Sequence, residues 1–531
     1  MTTNYVRVAV LALIAMSSYG PARASTAPRY GGTLVVELHE SSLALDPVKW
    51  KTGAPENSAN MQIASAIFDR LLTLDRFGRF QPALATDWSH DAALRRWQFS
   101  LRPGVQFSDG TALTSVDVAA ALQELLPPKT VVTPSGMHVV AQFPGAVPDF
   151  LEQLASGRNF IYRRAADGKL LGTGPFYIAD SAAATPATLT ARYKLVANER
   201  CWAGRPFVDA IDVVLAVPTL RQLFDLQLGK ADIAEISPEL VRRAAQENVR
   251  VWASAPLVLY AVQVNSDLAA AQKLGRNAAT RAGSAKAQLG EALSLALDRA
   301  TLANVLLQKQ AEPAASFLPQ WLSGYAFVFA VENNVGRAKE ISVELFGAGG
   351  AFNVAPSAGS AQPLHFRVDA AGDLAKLIAE RVAINARQAG IPVQIQTHGA
   401  TAISDTSALR LVAWRYSSLS SRTELDAMAA ALQLESPAAD SASDDPEESY
   451  ARERKLLSQR ALLPLVVMPE YVGLSAAVRD WIPERWGAWH LADVWLDEQK
   501  TVPVESPAAT SLGVSPAMPA TTPATQPGAQ P

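Results

Sequence analysis

The stretch Trp97–Val118, WQFSLRPGVQFSDGTALTSVDV, constrains this chain more tightly than any other. Trp97, Phe99 and Leu101 alternate with Gln98, Ser100 and Arg102, the period of two expected of a strand with one face buried and one in water. Pro103-Gly104 breaks that strand, Val105–Phe107 resumes it, and Ser108-Asp109-Gly110 supplies residues that tolerate turn geometry. Thr114 stands three residues before Asp117, the spacing of a capping box, and predicts a helix that runs to about Leu125.

Strand, turn and capped helix make an α/β chain, and the rest of the sequence is consistent with one. With 49% hydrophobic residues, 531 residues can bury enough apolar surface for two or three domains. The single cysteine, Cys201, rules out an internal disulfide, so stability must come from that burial. A formal net charge of −3 gives no electrostatic footprint for nucleic acid or an anionic membrane.

The first 24 residues read as a secretory signal. Arg7 precedes the apolar run Val8–Met16, too short to span a bilayer, and Pro21-Ala22-Arg23-Ala24 ends on an Ala-x-Ala pattern, placing the mature start at Ser25. Residues 501–531 hold many Pro, Ala and Thr and one charge, Glu505, a composition that cannot bury a core and predicts a disordered tail.

Further elements follow from pattern. Thr33–Leu38 and Ile211–Val217 are apolar runs of strand length, and Tyr260–Asn265 alternates. Apolar spacing predicts helices over Glu56–Leu74, Leu289–Leu307 and Asp373–Gln388, with Asp298 and Arg299 outside the apolar face of the second. Leu364–Val368 and Ile391–Gln396 read as strands.

Several phrases are specific enough to name. AIFDRLLTLDRFGRFQPALATDWS (Ala66–Ser89) followed by LRPGVQFSDGT resembles the signature region of periplasmic solute-binding proteins of peptide- and nickel-type ABC transporters. GTGPF (Gly172–Phe176), NERCWAGRPF (Asn198–Phe207), ALSLALDRATL and ARQAGIPVQIQ resemble later phrases of the same family, as do LQLGKADI (Leu226–Ile233), where Gly229 would end a helix and Asp232 cap the next turn, and LLPLVV (Leu462–Val467), which would be a strand. The resemblance implies a two-lobed clamshell with mixed sheets flanked by helices. Its expected segments are 25–60 and 171–267 for lobe I, with an inserted second domain at 61–170, then 268–468 for lobe II and 469–500 for the return to lobe I. It further implies a periplasmic, monomeric receptor that takes a peptide or peptide-like ligand between its lobes and delivers it to the transmembrane subunits of an ABC permease, without cofactor, metal or catalysis.

At the family's ligand strand the sequence departs from the pattern. The usual W-x-W-x-x-D reads Trp414-Arg415-Tyr416-Ser417-Ser418-Leu419, so the acid that would pair with a peptide's α-amino group is absent from its slot. Glu424 and Asp426 lie outside the register, and an anion or C-terminal carboxylate held by Arg415 becomes the alternative. Trp414, Arg415, Tyr416, Ser417 and, on the first strand, Glu37 are the candidate ligand contacts. A metal chelate, haem or sugar as ligand, or a degenerate receptor acting as sensor or chaperone partner, are the rival binding roles.

Enzymatic constellations are missing. The six histidines are isolated, and H-E-x-x-H, G-x-S-x-G and Walker phrases are absent, which disfavours a secreted hydrolase. Gly172-Thr173-Gly174 lacks the third glycine of a dinucleotide fingerprint, Tyr177 standing in its place. Cys201 reads as an inert thiol, Trp202 as packing, and the acidic run Pro437–Ser449 as a solvated loop without calcium-site spacing.

Overall fold

A computed structural model describes residues 27–50, 58–75, 77–155, 159–183, 190–265, 276–325, 329–347, 363–368, 373–397, 407–435, 445–484 and 487–497, the backbone alone over 276–284. The expected signal, the Pro-rich tail and most of the acidic run lie outside the described residues.

One mixed sheet runs through the molecule. Its strands follow the order Phe176–Ala182, Arg192–Ala197, Ala210–Val214, Thr33–Glu37, Ile233–Glu235, Leu462–Leu474, Arg250–Val264, Leu409–Arg415, Leu364–Val368 and Val393–Thr397. The chain therefore forms an α/β fold with parallel and antiparallel pairs, Thr33–Glu37 being parallel to both its neighbours. Apolar side chains separate into distinct cores. One gathers Leu34, Phe99, Phe150 and Ile211 with Trp489, and others gather Leu293, Phe366 and Ile378, or Phe317, Trp414 and Leu425. The first defines lobe I and the latter two lobe II.

The Trp97–Val118 stretch folds as its pattern requires except at Val105–Phe107, where the expected strand is reduced to an isolated bridge between Gln106 and Ala112 around the Ser108-Asp109-Gly110 turn. Arg96–Leu101 is a strand with Trp97, Phe99 and Leu101 buried, inside a four-stranded antiparallel sheet with Ala85–His90, His138–Gln142 and Val131–Ser135. Thr114 caps helix Ser115–Leu125, accepting from Asp117 N while Thr114 N donates to Asp117 Oδ2 at 2.9 Å. The GTGPF glycines serve close packing. A Cβ at Gly172 or Gly174 would lie 2.0 or 2.6 Å from the Ile67 carbonyl oxygen, which Gly174 N reaches at 3.0 Å.

Other elements depart from their patterns, with local causes. The helix expected over Glu56–Leu74 is Ser58–Ile67, followed by strand Leu72–Leu74, because the Ile67 carbonyl turns to Gly174 and Asp69 bridges to Ile161. The helix expected over Leu289–Leu307 ends at Ala296. Asp298 then opens a new turn by accepting from Thr301 N at 2.9 Å and Oγ1 at 2.6 Å. Arg299, expected outside the apolar face, is only 4% exposed. Gly229 does follow the helix Thr219–Gln227, and Asp232 turns its carboxylate to neighbouring strands. It accepts from Val35 N at 3.0 Å and Ser475 Oγ at 3.1 Å, tying three strands together. Trp202 is held by packing, its Nε1 donating to Asp69 Oδ2 at 2.8 Å beneath the Arg102 guanidinium.

The Thr114 cap is the sole side-chain acceptor for the Asp117 amide among the described contacts. Thr114→Ala is expected to lower unfolding stability by about 1 kcal/mol, read as a fall in the urea midpoint at constant m value. An unchanged midpoint would show that the cap adds nothing.

Candidate functional site

Two long antiparallel strands, Arg250–Val264 and Leu462–Leu474, join the lobes. They pair from Arg250↔Leu474 beside lobe I to Gln263↔Leu462 beside lobe II, with register shifts on both sides of Pro256↔Pro469. Proline has no N–H, so two opposed prolines leave a gap in the ladder. Ser254 Oγ fills part of it by accepting from Glu470 N at 3.0 Å.

At this gap lies a cavity of about 270 Å³. Glu235, Ile236 and Pro238 line it from the lobe I side, with Ser58 and Trp489, while Val258, Tyr260, Leu374 and Met468 line it from the other. Glu470 and Tyr471, beside the opposed prolines, also line it. Its walls are mostly apolar and aromatic, and its charged lining residues are carboxylates.

Glu235 ends a three-residue strand between Thr33–Glu37 and Leu462–Leu474, which fixes its backbone. Its Oε2 accepts from His39 N at 2.7 Å. Burial, reinforced by the nearby negative charges of Glu40 and Glu470, pushes its carboxyl up to about 7. Glu470, by contrast, is matched by Arg415 in a two-pronged ion pair, Nε to Oε1 at 2.8 Å and Nη2 to Oε2 at 3.0 Å. The Gly487 turn closes over this pair. At φ +92°, a Cβ there would meet Leu257, Arg415 and Glu470 within 3.1 Å.

The sequence-derived candidates are placed as follows. Trp414, Arg415, Tyr416 and Ser417 do come together at the end of strand Leu409–Arg415 and its turn, but each has a protein partner. Trp414 Nε1 donates to Glu424 Oε1 at 2.6 Å, and the amides of Ser417 and Ser418 donate to Glu424 Oε2 at 3.3 and 2.9 Å. Tyr416 Oη donates to the Phe317 carbonyl, and Trp414 and Tyr416 are both buried in lobe II. Arg415 is 6% exposed and occupied by Glu470. Glu424 organises the turn, and Asp426 pairs with Arg452.

Glu37 is buried on the helix-facing side of its strand and lies outside the cavity lining. Burial first, and the Asp225 carboxyl beside it second, raise its pKa to about 7. Among the described residues Glu37 Oε2 and Asp225 Oδ1 both lack a donor, so a proton held on Glu37 serves the pair.

A second contact joins the lobes away from the cavity. Asp149, fully buried at the start of helix Phe150–Ala155, accepts from the Arg422 guanidinium and the Thr423 hydroxyl at the start of helix Ser421–Ala431. Gln153 Nε2 adds a bond to Thr423 Oγ1 at 3.3 Å. Burial alone would raise the Asp149 carboxyl, but Arg422 and the surrounding hydroxyls hold it below the usual carboxylate range.

Sequence reasoning missed Glu235, Glu470 and the Asp149 clasp. Glu470 had a signal, a lone acid inside the apolar run LLPLVVMPEYVGL. Glu235 had a weaker one, an acid after Ile233-Ala234. The clasp had none, since its partners are 273 residues apart.

The sequence profile of Bacterial extracellular solute-binding proteins, family 5 Middle, matches residues 79–443. Among solved structures, the Bacillus subtilis oligopeptide-binding protein AppA in complex with a nonapeptide superposes with a TM-score of 0.71 at 16% identity, covering 89% of this chain and 100% of that one. NikA from Brucella suis in complex with Fe(III)-EDTA gives 0.69 at 15% identity over 87% and 99%. These likenesses show the fold. By sequence, the periplasmic murein peptide-binding protein MppA of Escherichia coli is 33% identical over 97 residues, 18% of this chain and 17% of that protein. The chain thus aligns with less than a fifth of that relative's length.

Two results are expected from this geometry. Asp149→Ala removes the clasp, and small-angle scattering should show a larger radius of gyration; an unchanged radius would mean that the clasp does not hold the lobes. Glu37 and Glu235 are protonated in the folded protein at pH values where the unfolded chain has released those protons. Their contribution therefore falls as pH rises from about 4.5 to about 7 and is absent above. Glu37→Gln should flatten this dependence in urea midpoints measured from pH 5 to 8, and a dependence unaltered by the substitution would exclude Glu37 as a source.

Proposed function

This chain belongs to the bacterial extracellular solute-binding proteins of family 5, and from that premise we propose that it is an extracytoplasmic receptor of an ABC importer. It takes a small peptide or peptide-like ligand into the cavity beside Pro256 and Pro469 and delivers it to a membrane permease. The observation that carries this reading is a cavity between two separately cored lobes, located where the connecting ladder is interrupted. Opposed prolines give a hinge, and a ligand shifts the open-to-closed balance by its preference for the closed form. The protein acts as a periplasmic monomer without catalysis, released by cleavage near Ala24. No described helix is long and apolar enough to cross a membrane.

The ligand's amine end is assigned to Glu235. With Arg415 matched to Glu470, the remaining acid facing the cavity is the Glu235 carboxyl, whose raised pKa a cationic group would lower and a carboxylate would raise further, which favours a cationic group over a carboxylate. The same feature disfavours an anionic metal chelate of the kind in the NikA structure. Apolar and aromatic walls accept varied side chains.

A thermal-shift screen of di- to hexapeptides tests the reading. A ligand at a hundred times its dissociation constant adds about 2.7 kcal/mol. Free-amine peptides should raise the melting temperature, their N-acetylated forms should not, and Glu235→Gln should remove the difference. If no peptide shifts the melt, the peptide reading fails; if acetylated peptides bind equally well, the assignment to Glu235 fails.

A further inference from the structure

Lobe II contains a second cavity, of about 230 Å³, that shares no lining residue with the first. It arises from the break at Asp298, which turns Arg299 inward. Arg299 donates to the carbonyl oxygens of Pro464 at 2.7 Å and Ser294 at 3.0 Å, both neutral. Among the described residues no carboxylate comes within ion-pair distance of it.

A second guanidinium crowds the same spot. Arg460 Nη1 donates to Ser294 Oγ at 3.2 Å, the oxygen that Arg299 Nη2 approaches at 3.4 Å. Arg460 holds this place with φ +53°, a left-handed conformation that costs a non-glycine residue about 1 kcal/mol or more. Burial and the Arg460 charge together pull the Arg299 guanidinium down to about 10, so both remain cations at neutral pH. Arg454, exposed and without a hydrogen bond or ion pair among the described residues, lines the cavity as a third. The one carboxylate in the lining is Glu332, half exposed and paired with Arg460 at 3.1 Å.

Three guanidiniums against one carboxylate leave two excess positive charges around a cavity walled by Phe329, Leu457 and Leu463. Apolar walls lower the local dielectric, so the repulsion between Arg299 and Arg460 is weakly screened and a matching anion is strongly favoured. Guanidinium forks fit tetrahedral oxyanions two oxygens at a time. We propose that this lobe II cavity binds a small dianionic oxyanion of the phosphate class, held by Arg299, Arg454 and Arg460. The excess charge matches a dianion, and the depth of Arg299 matches one compact enough to enter.

Isothermal titration of the full chain with inorganic phosphate and with glycerol 3-phosphate, at ionic strength matched by sodium chloride, tests the site. Saturable binding of one equivalent is expected. Binding of inorganic phosphate alone would make free phosphate the ligand, whereas tighter glycerol 3-phosphate binding would make it a phosphomonoester. Arg454→Gln and Arg460→Gln should each weaken binding by about tenfold or more, the loss of one charge-assisted contact. Arg454→Gln breaks no bond in the fold and so keeps the test valid if Arg460→Gln destabilises the lobe. Heat no greater than in the chloride control, or an affinity in both variants equal to that of the unsubstituted chain, would overturn the proposal. Binding of peptides in the cleft should be unaltered in Arg454→Gln.

Discussion

The hydrogen-bonded ladder between Arg250–Val264 and Leu462–Leu474 is the constraint on which the molecule rests. Within the one sheet, Leu462–Leu474 pairs with the lobe I strand Ile233–Glu235 at one end and Arg250–Val264 with the lobe II strand Leu409–Arg415 at the other, so two cores built from distant segments share one backbone frame. A ladder without interruption would transmit bending stiffly. Placing two prolines opposite one another removes donors where the two cores meet and concentrates deformation there. Glu470, held by Ser254 through its amide and by Arg415 through its carboxylate, is fixed at that point, and the cavity forms around it.

Much of the fold is legible in the sequence where its signals are local. The capping box at Thr114, the helix Asp373–Gln388 and the strand Leu364–Val368 need only residues within a turn or two of one another. Local patterns fail where a long-range bond decides. The helix after Ser58 could have continued on its apolar spacing, but the Ile67 carbonyl is claimed by Gly174, more than a hundred residues away. Arg299 looked solvated because the helix was expected to continue, and the Asp298 cap rotated it into the core.

The site was less legible for a related reason. Trp414 and Arg415 stand on the strand that resemblance indicated and Tyr416 just after it, and Glu424, Glu470 and the Phe317 carbonyl take up their polar groups. Glu424 gathers the Trp414 indole and two turn amides, a role that burial strongly favours because those donors would otherwise be unsatisfied. Glu235 matters for the opposite reason. Its strand neighbours are apolar and its only described donor is a backbone amide, so burial, and not a cationic partner, sets its raised pKa.

The Asp149 clasp touches neither the cavity nor the residues that shape it. Whatever free energy it contributes to closure is added equally for every occupant. Strength of capture and choice of cargo are thereby written on separate surfaces, and a lineage could retune one by drift at residues 149 and 422 while leaving the other untouched.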